Sequence, residues 1–355
     1  MSANKILAPP HSGYHWRNQR TRFFEGWYFR LTLPDCGQTF AFMYSIDDPA
    51  GGTAQSGGVA QILGPDETYC CRTFPNVARF WAWPHRLGLG HWRRSSTWPA
   101  RYLPPDVFER DVIEGYQATA SRHQGRLLSV DGEPEAEWNY RMKAIAGWGT
   151  STQQATAGWL SYLPVFEPGW QVLMAQGRAT GQMHWRGQDY SFEDAPVYAE
   201  KNWGGAFPAK WFWLQCNAFE REPDLSITAA VGVREVLGWK EDAGIIGIHY
   251  QGQFYEFPSL KTEFSWRVEP WGVWRLTARS YRYRVALTGI ARNEGAYVRV
   301  PTREGMQFLC RDTTHGELSV QLYEMESDRL VLEATSQLAG LEVGGGPWDK
   351  QWAKT

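Results

Sequence analysis

Lys210-Trp211-Phe212-Trp213-Leu214-Gln215-Cys216 reads as a β-strand: a short aromatic run with a period of two. Alternation puts Trp211, Trp213 and Gln215 on one face, so the three point the same way, with the inward direction expected. The same period recurs in Thr39–Ile46, Tyr281–Leu287, Leu318–Tyr323 and Leu330–Thr335. Turn residues separate these runs, as in Asp47-Asp48-Pro49-Ala50-Gly51-Gly52, Asp131-Gly132-Glu133-Pro134, Glu167-Pro168-Gly169 and Arg292-Asn293-Glu294-Gly295. With 36 Gly and 20 Pro, few windows can hold a long amphipathic helix. The stretch Phe166–Ala179 fits either helix or strand. The chain is expected to be mainly β and antiparallel.

A short echo points to two similar halves. Phe24-Glu25-Gly26-Trp27-Tyr28 precedes the strand Phe40–Ile46, and Ala199-Glu200-Lys201-Asn202-Trp203-Gly204 precedes the strand Trp211–Asn217. Glu25 and Glu200 are separated by close to half the chain, too far for a short-period repeat. Two barrels of about eight strands, sharing a seam near Tyr190–Ala199, would hold a longer ligand than one. The expected domains are 1–195 and 196–355.

Composition narrows the function. The 355 residues carry 36 Lys+Arg against 38 Asp+Glu, a net charge of −2, which argues against a nucleic-acid partner. Mean hydropathy is −0.47 and no apolar run approaches the roughly 20 residues of a spanning helix. MSANKILAPP lacks the features of a secretory signal, so an intracellular, unsecreted protein is expected. Five cysteines without a C-x-x-C read as reduced thiols. The chain's 20 Trp exceed what a core needs, because each buried indole N–H wants a partner. They line something.

Phosphate-loop, dinucleotide, nucleophile-elbow and zincin motifs are all absent from the sequence, so no cofactor and no metal are expected. Carboxylates set among aromatics remain. Glu25 lies in Arg22-Phe23-Phe24-Glu25-Gly26-Trp27-Tyr28-Phe29, and Glu200 in Val197-Tyr198-Ala199-Glu200-Lys201-Asn202-Trp203. Aromatic walls penalise the charged carboxylate, raise its pKa, and leave a proton donor near neutral pH. The same walls stabilise a carbocation through their π faces. Acid plus aromatic hollow suits electrophilic addition to an alkene. The competing reading pairs Glu25 with Arg22 or Arg30, and Glu200 with Lys201 or Lys210, as structural ion pairs. His85, His91 and His249 are further acid–base candidates, or structural histidines.

From Thr68 to Pro105 there is no acidic residue, while Arg72, Arg79, Arg86, Arg93, Arg94 and Arg101 mingle with Trp81, Trp83, Trp92 and Trp98. Segment 68–105 therefore reads as a peripheral membrane contact facing anionic headgroups, as Arg stacked on Trp within the fold, or as a nucleic-acid patch.

The chain resembles the tocopherol cyclase family of plants and cyanobacteria. The resemblance is carried by Pro10–Trp16, Phe23–Tyr28, Phe40–Ile46, Phe80–Pro84, Ala157–Leu160, Leu163–Gln171, Ala199–Gly205, Cys310–Thr313, Ala334–Ser336 and Glu342–Trp348. It implies two lipocalin-like antiparallel β-barrel domains packed side by side, a scaffold shared with carotenoid hydratases and some fungal pericyclases. It implies cyclisation of 2-methyl-6-phytyl- and 2,3-dimethyl-6-phytyl-benzoquinol to chromanols, a prenylquinol being the partner. For that reaction the residues themselves offer Glu25 and Glu200 as acid and base in either order, with Tyr28, Asn202 and Gln215 as candidates to orient the quinol hydroxyl. Trp27, Tyr44, Trp203, Trp211 and Trp213 would line the cavity. The missing transit peptide fits a cyanobacterial or other bacterial origin, with the protein cytoplasmic or peripheral to a thylakoid or inner membrane. Alternatives are a hydratase or pericyclase on the same scaffold, a non-catalytic quinol or carotenoid carrier, and a surface interaction module with filled barrels.

Overall fold

Between Phe24 and Leu33 the side chains sort by parity, as a strand requires. Trp27, Phe29 and Leu31 enter one apolar core, while Tyr28 belongs to a different cluster on the opposite face. Both faces are buried, because a second sheet covers the outer one.

The computed structural model describes residues 8–19, 21–150, 153–163, 168–236 and 239–354. The first antiparallel sheet holds β1 (Phe24–Leu33), β2 (Gln38–Asp47), β3 (Gly57–Leu63), β4 (Tyr69–Phe74), β5 (Phe80–Ala82), β6 (Gly88–Ser95), β7 (Val112–Thr119), β8 (Arg122–Leu128), β9 (Pro134–Ala146), β10 (Gly169–Trp185) and β11 (Gln188–Gly204). Its spatial order is β4-β3-β2-β1-β11-β10-β9-β8-β7-β6-β5. The second holds β12 (Lys210–Cys216), β13 (Ser226–Val236), β14 (Trp239–Tyr250), β15 (Gln253–Phe257), β16 (Glu263–Val268), β17 (Val273–Arg279), β18 (Tyr283–Ile290), β19 (Ala296–Thr302), β20 (Gly305–Glu324), β21 (Leu330–Gly345) and β22 (Trp352–Lys354). Its order is β15-β14-β13-β12-β21-β20-β18-β17-β16-β22, with β19 paired to β20. Among the described residues one short α-helix, Pro105–Asp111, interrupts the strands.

Each sheet curls until its distant strands meet. Tyr44 on β2 stacks on Tyr116 on β7 with centroids 4.0 Å apart, and Phe212 on β12 meets Trp352 on β22 at 5.7 Å. The enclosed interiors are packed with side chains. These are filled barrels, so a ligand has to be held elsewhere.

The two sheets share the connectivity of their first strands. In each, the first strand pairs with the second on one side and with a long late strand on the other: β1 with β11, β12 with β21. The short sequence echo is something else. Its two members lie on β1 and β11, which are ladder neighbours, with Tyr28 opposite Glu200. The equivalent of β1 is β12, and that of β11 is β21.

The expected boundary at 195/196 falls inside β11. Asp194 takes a φ of 54°, which looks like a break beside Pro196, yet pairing with β10 continues on both sides of it. The first sheet ends at Gly204 and the second starts at Lys210. From Gly169 the ambiguous stretch is strand β10; Phe166 and Glu167 lie outside the described residues.

The sheets meet along a polar seam crossed by hydrogen bonds. Arg30, fully buried, donates to Gln215 Oε1 at 3.0 Å and to the Thr314 carbonyl at 3.0 Å. Asn217 donates to the Val197 carbonyl, Ser226 to Ala175, and Trp148 to Glu256.

Segment 68–105 is largely tied into its own sheet. Arg72 pairs with Glu135, Arg93 with Glu114 at 3.3 Å, and Arg86 lies 4.2 Å over the Trp83 ring. Trp81 and Trp92 are buried, whereas Trp98, Arg94 and Arg101 are exposed. Among the described residues no helix is long and apolar enough to cross a membrane.

Candidate active site

The seam opens into a cavity of about 460 Å³, within the range of small-molecule sites. Its walls are the outer faces of the two barrels. β1 and β11 contribute Gly26, Tyr28, Glu200 and Asn202; β12 and β21 contribute Trp211, Trp213 and Glu342. Trp170 from β10 adds a third indole. Trp159 and Leu260, exposed by 68% and 66%, are among the lining residues that reach solvent.

Parity explains β12. Phe212, Leu214 and Cys216 fill the second barrel, so Trp211 and Trp213 face out of it and into the seam. The expected inward direction is reversed with respect to the barrel and leads into the hollow between barrels. Gln215 shares that face but lies outside the cavity lining, where it accepts from Arg30.

Glu200 is 7% exposed and stands opposite Tyr28 in the β1–β11 ladder. The Tyr198 hydroxyl donates to its Oε2 at 2.6 Å. Burial raises the carboxyl's pKa from 4.5 to about 7. The Tyr198 hydrogen bond opposes this, and the charge of Glu342 adds to it. Near neutral pH this group can hold a proton and release it. Tyr28, opposite, is buried with its hydroxyl unpartnered, and burial pushes its phenol well above the ordinary range.

Glu342 faces Glu200 from the second sheet. Its Oε1 accepts the Trp211 indole N–H, and its ladder partners are Trp213 and Asp312. Burial raises its pKa as well. Two glycines make room for this arrangement. A Cβ on Gly344 would sit 1.9 Å from the Trp211 ring, and one on Gly340 would sit 2.9 Å from Trp213. Sequence reasoning missed Glu342. The available signal was Gly340-Leu341-Glu342-Val343-Gly344, a carboxyl flanked on its own face by two notches that receive indoles.

Glu25 belongs to a different place. It faces away from the cavity and is fully buried against Lys201, itself fully buried, while the His15 N–H donates to its Oε2 at 2.8 Å. Burial raises its pKa, but the Lys201 charge and the His15 hydrogen bond outweigh burial and hold the carboxyl below its usual range. The expected neutral acid is a carboxylate in an ion pair, and the partner is neither Arg22 nor Arg30. Parity again explains this: Lys201 lies between Glu200 and Asn202 on β11 and projects to the other face.

The remaining expectations divide. Trp27 and Tyr44 border the cavity but carry their rings into the first core, where the Tyr44 hydroxyl lies 2.5 Å from His123 Nε2. Trp203 stacks on His15 at 3.9 Å and is not a lining residue. His91 and His249 bond to the Asn76 and Gly147 carbonyls, and His85 is exposed, all three away from the cavity.

Comparison with known proteins identifies the family. The family model described as tocopherol cyclase-like matches residues 21–345. The probable chloroplastic tocopherol cyclase of Oryza sativa subsp. japonica is 41% identical over 383 residues, covering 99% of this chain and 82% of that protein. The chloroplastic tocopherol cyclase of Zea mays is also 41% identical, with 99% and 81% covered. Among solved structures, CghA superposes with a TM-score of 0.55 at 11% identity, over 92% of this chain and 90% of that one. An AttH structure from Nitrosomonas europaea gives 0.51 at 10% identity, over 96% and 99%. At such identities the two structures show the shared fold alone. The sequence relatives and the family match show more: the chain belongs to the tocopherol cyclase-like family.

Proposed function

We propose that the seam cavity is the active site of a tocopherol cyclase that closes phytylbenzoquinols to chromanols. One observation carries the reading: Glu200, a carboxyl with a pKa of about 7, lies in a cavity walled by Trp170, Trp211 and Trp213. The protonated carboxyl donates to the nearer carbon of the first prenyl double bond. Positive charge then develops on the tertiary carbon, over indole faces that favour it. The phenol oxygen attacks that carbon and the six-membered ring closes. Substrate and product are isomers, so the reaction needs no oxidant or reductant. Asn202, beside Glu200 on the same face of β11, and Tyr28 opposite it are placed to orient the quinol hydroxyl.

A prenylquinol resides in membranes, and the protein is proposed to work peripherally at one. Arg94, Trp98 and Arg101 are exposed residues of segment 68–105 that would touch anionic headgroups. Replacing all three by Ala should reduce sedimentation with anionic liposomes; unchanged sedimentation would rule out this contact.

The decisive test is to incubate purified protein with reduced 2,3-dimethyl-6-phytylbenzoquinol in D₂O, without air, and resolve products by chiral chromatography. The expected product is a single chromanol enantiomer with one deuterium on the ring methylene next to the new quaternary carbon. Unchanged quinol, bound but unconverted, would make the protein a carrier.

A further inference from the structure

We infer that Glu342 is the second catalytic carboxyl, the acceptor of the phenol proton. The inference rests on the reading of Glu200 as proton donor. The two groups enter the cavity from different sheets, Glu200 on β11 and Glu342 on β21, and Glu200 feels the charge of Glu342. A donor and an acceptor on opposing walls fit a reaction in which a proton arrives at carbon and another leaves oxygen.

What distinguishes Glu342 is the company it keeps. Asp312 is its ladder neighbour on β20, fully buried, with neither carboxyl oxygen hydrogen-bonded. Two carboxyls side by side in dry surroundings cannot both be charged. The charge stays on the one that accepts a donor, and that is Glu342, held by the Trp211 N–H. Burial, reinforced by the charge on Glu342, keeps Asp312 protonated. Glu200 is shifted by the same charge in the same sense. Of the two ladder neighbours, Glu342 is therefore the one that brings a negative charge to the cavity wall, opposite Glu200. Arg30 adds a buried positive charge whose hydrogen bonds go to Gln215 and to main-chain carbonyls.

The step balances. The Glu200 O–H bond breaks and its proton forms a C–H bond with the alkene π pair. The quinol oxygen's lone pair forms the C–O bond, and the phenol O–H bond breaks with its proton going to Glu342. Glu342 ends protonated and Glu200 ionised; returning one proton from Glu342 to Glu200 restores the starting state, with no electron gained or lost. Until ring closure, the Glu342 carboxylate also faces the developing cation.

The test is a set of single-turnover pH–rate profiles on the full chain with reduced 2,3-dimethyl-6-phytylbenzoquinol. Wild type should give a bell: an acid limb where the acceptor becomes protonated and an alkaline limb where the donor loses its proton. Glu342→Gln should lower the rate at least about 10²-fold and abolish the acid limb while leaving the alkaline limb in place. Glu342→Asp, which keeps a carboxylate, should restore the acid limb and part of the rate. A Glu342→Gln rate within threefold of wild type, acid limb intact, overturns the inference. Should the glutamine variant not fold, the aspartate variant decides, because activity without an acid limb overturns it equally. Failure of the underlying reading is seen separately, as no chromanol from wild type.

Discussion

Replacing Glu200 with Gln should damage the reaction and stabilise the protein at the same time, and the second effect has a pH signature. In the unfolded chain this carboxyl titrates near 4.5; in the fold it titrates at about 7. The folded state therefore binds more protons between these values, and the native protein loses stability as pH rises through them. At about 1.4 kcal/mol per pH unit, the loss reaches about 3 kcal/mol by pH 8 and only about 1 kcal/mol at pH 5. Glutamine has no proton to lose and is free of this penalty. Urea unfolding of both proteins at pH 5 and pH 8 should show the variant's advantage growing by about 2 kcal/mol across that range. Contributions from titrating groups that do not interact with Glu200 cancel in the difference. Chromanol formation by the same variant should fall at least about 10²-fold. A stability gap that does not change with pH would refute the claim that Glu200 is a dry, proton-holding acid. So would near-full activity of the folded variant.

Glu25→Gln should do the reverse: cost about 3–5 kcal/mol in urea unfolding at pH 7 by leaving Lys201 buried and uncompensated, while folded molecules still cyclise. Because the folded Glu25 carboxyl is depressed, its contribution is present above the unfolded value and vanishes on acidification through the folded one. The variant should therefore lose less stability than wild type on acidification. Gly344→Ala drives a methyl into the space of the Trp211 indole. Its expected signature is about 1–3 kcal/mol of destabilisation from overpacking and a rate loss of tenfold or more, as Glu342 loses its N–H donor. An unchanged rate would show that the Trp211–Glu342 bond is dispensable.

The period of two in Lys210–Cys216 was enough to place Trp211 and Trp213 on one face, and turn residues were enough to identify antiparallel β structure. What parity cannot supply is which face of a barrel strand a ligand uses. A barrel has two buried faces when another barrel packs against it, and the residues inside this one, Phe212 and Leu214, are as apolar as those outside. Glu25 misled for a related reason. Its aromatic surroundings resemble those of Glu200, but a side chain's environment comes from across the ladder and from segments far away, here Lys201 and His15. The lysine was in plain view beside Glu200; only the strand's alternation, read with the register to β1, assigns it to Glu25. Glu342 was hidden because a charged residue between Leu341 and Val343 on an alternating strand looks like an ordinary solvent-facing position.

The common connectivity of the two halves has a bearing on how this site came to hold unlike acids. An assembly of two identical subunits meeting at such a seam must present the same side chain twice, so any change to one carboxyl alters its twin. Joining both copies in one polypeptide removes that obligation. Within one polypeptide, one half surrounds its glutamate with a tyrosine hydroxyl and the other seats its own beneath an indole, so the facing walls need not match in their hold on a proton.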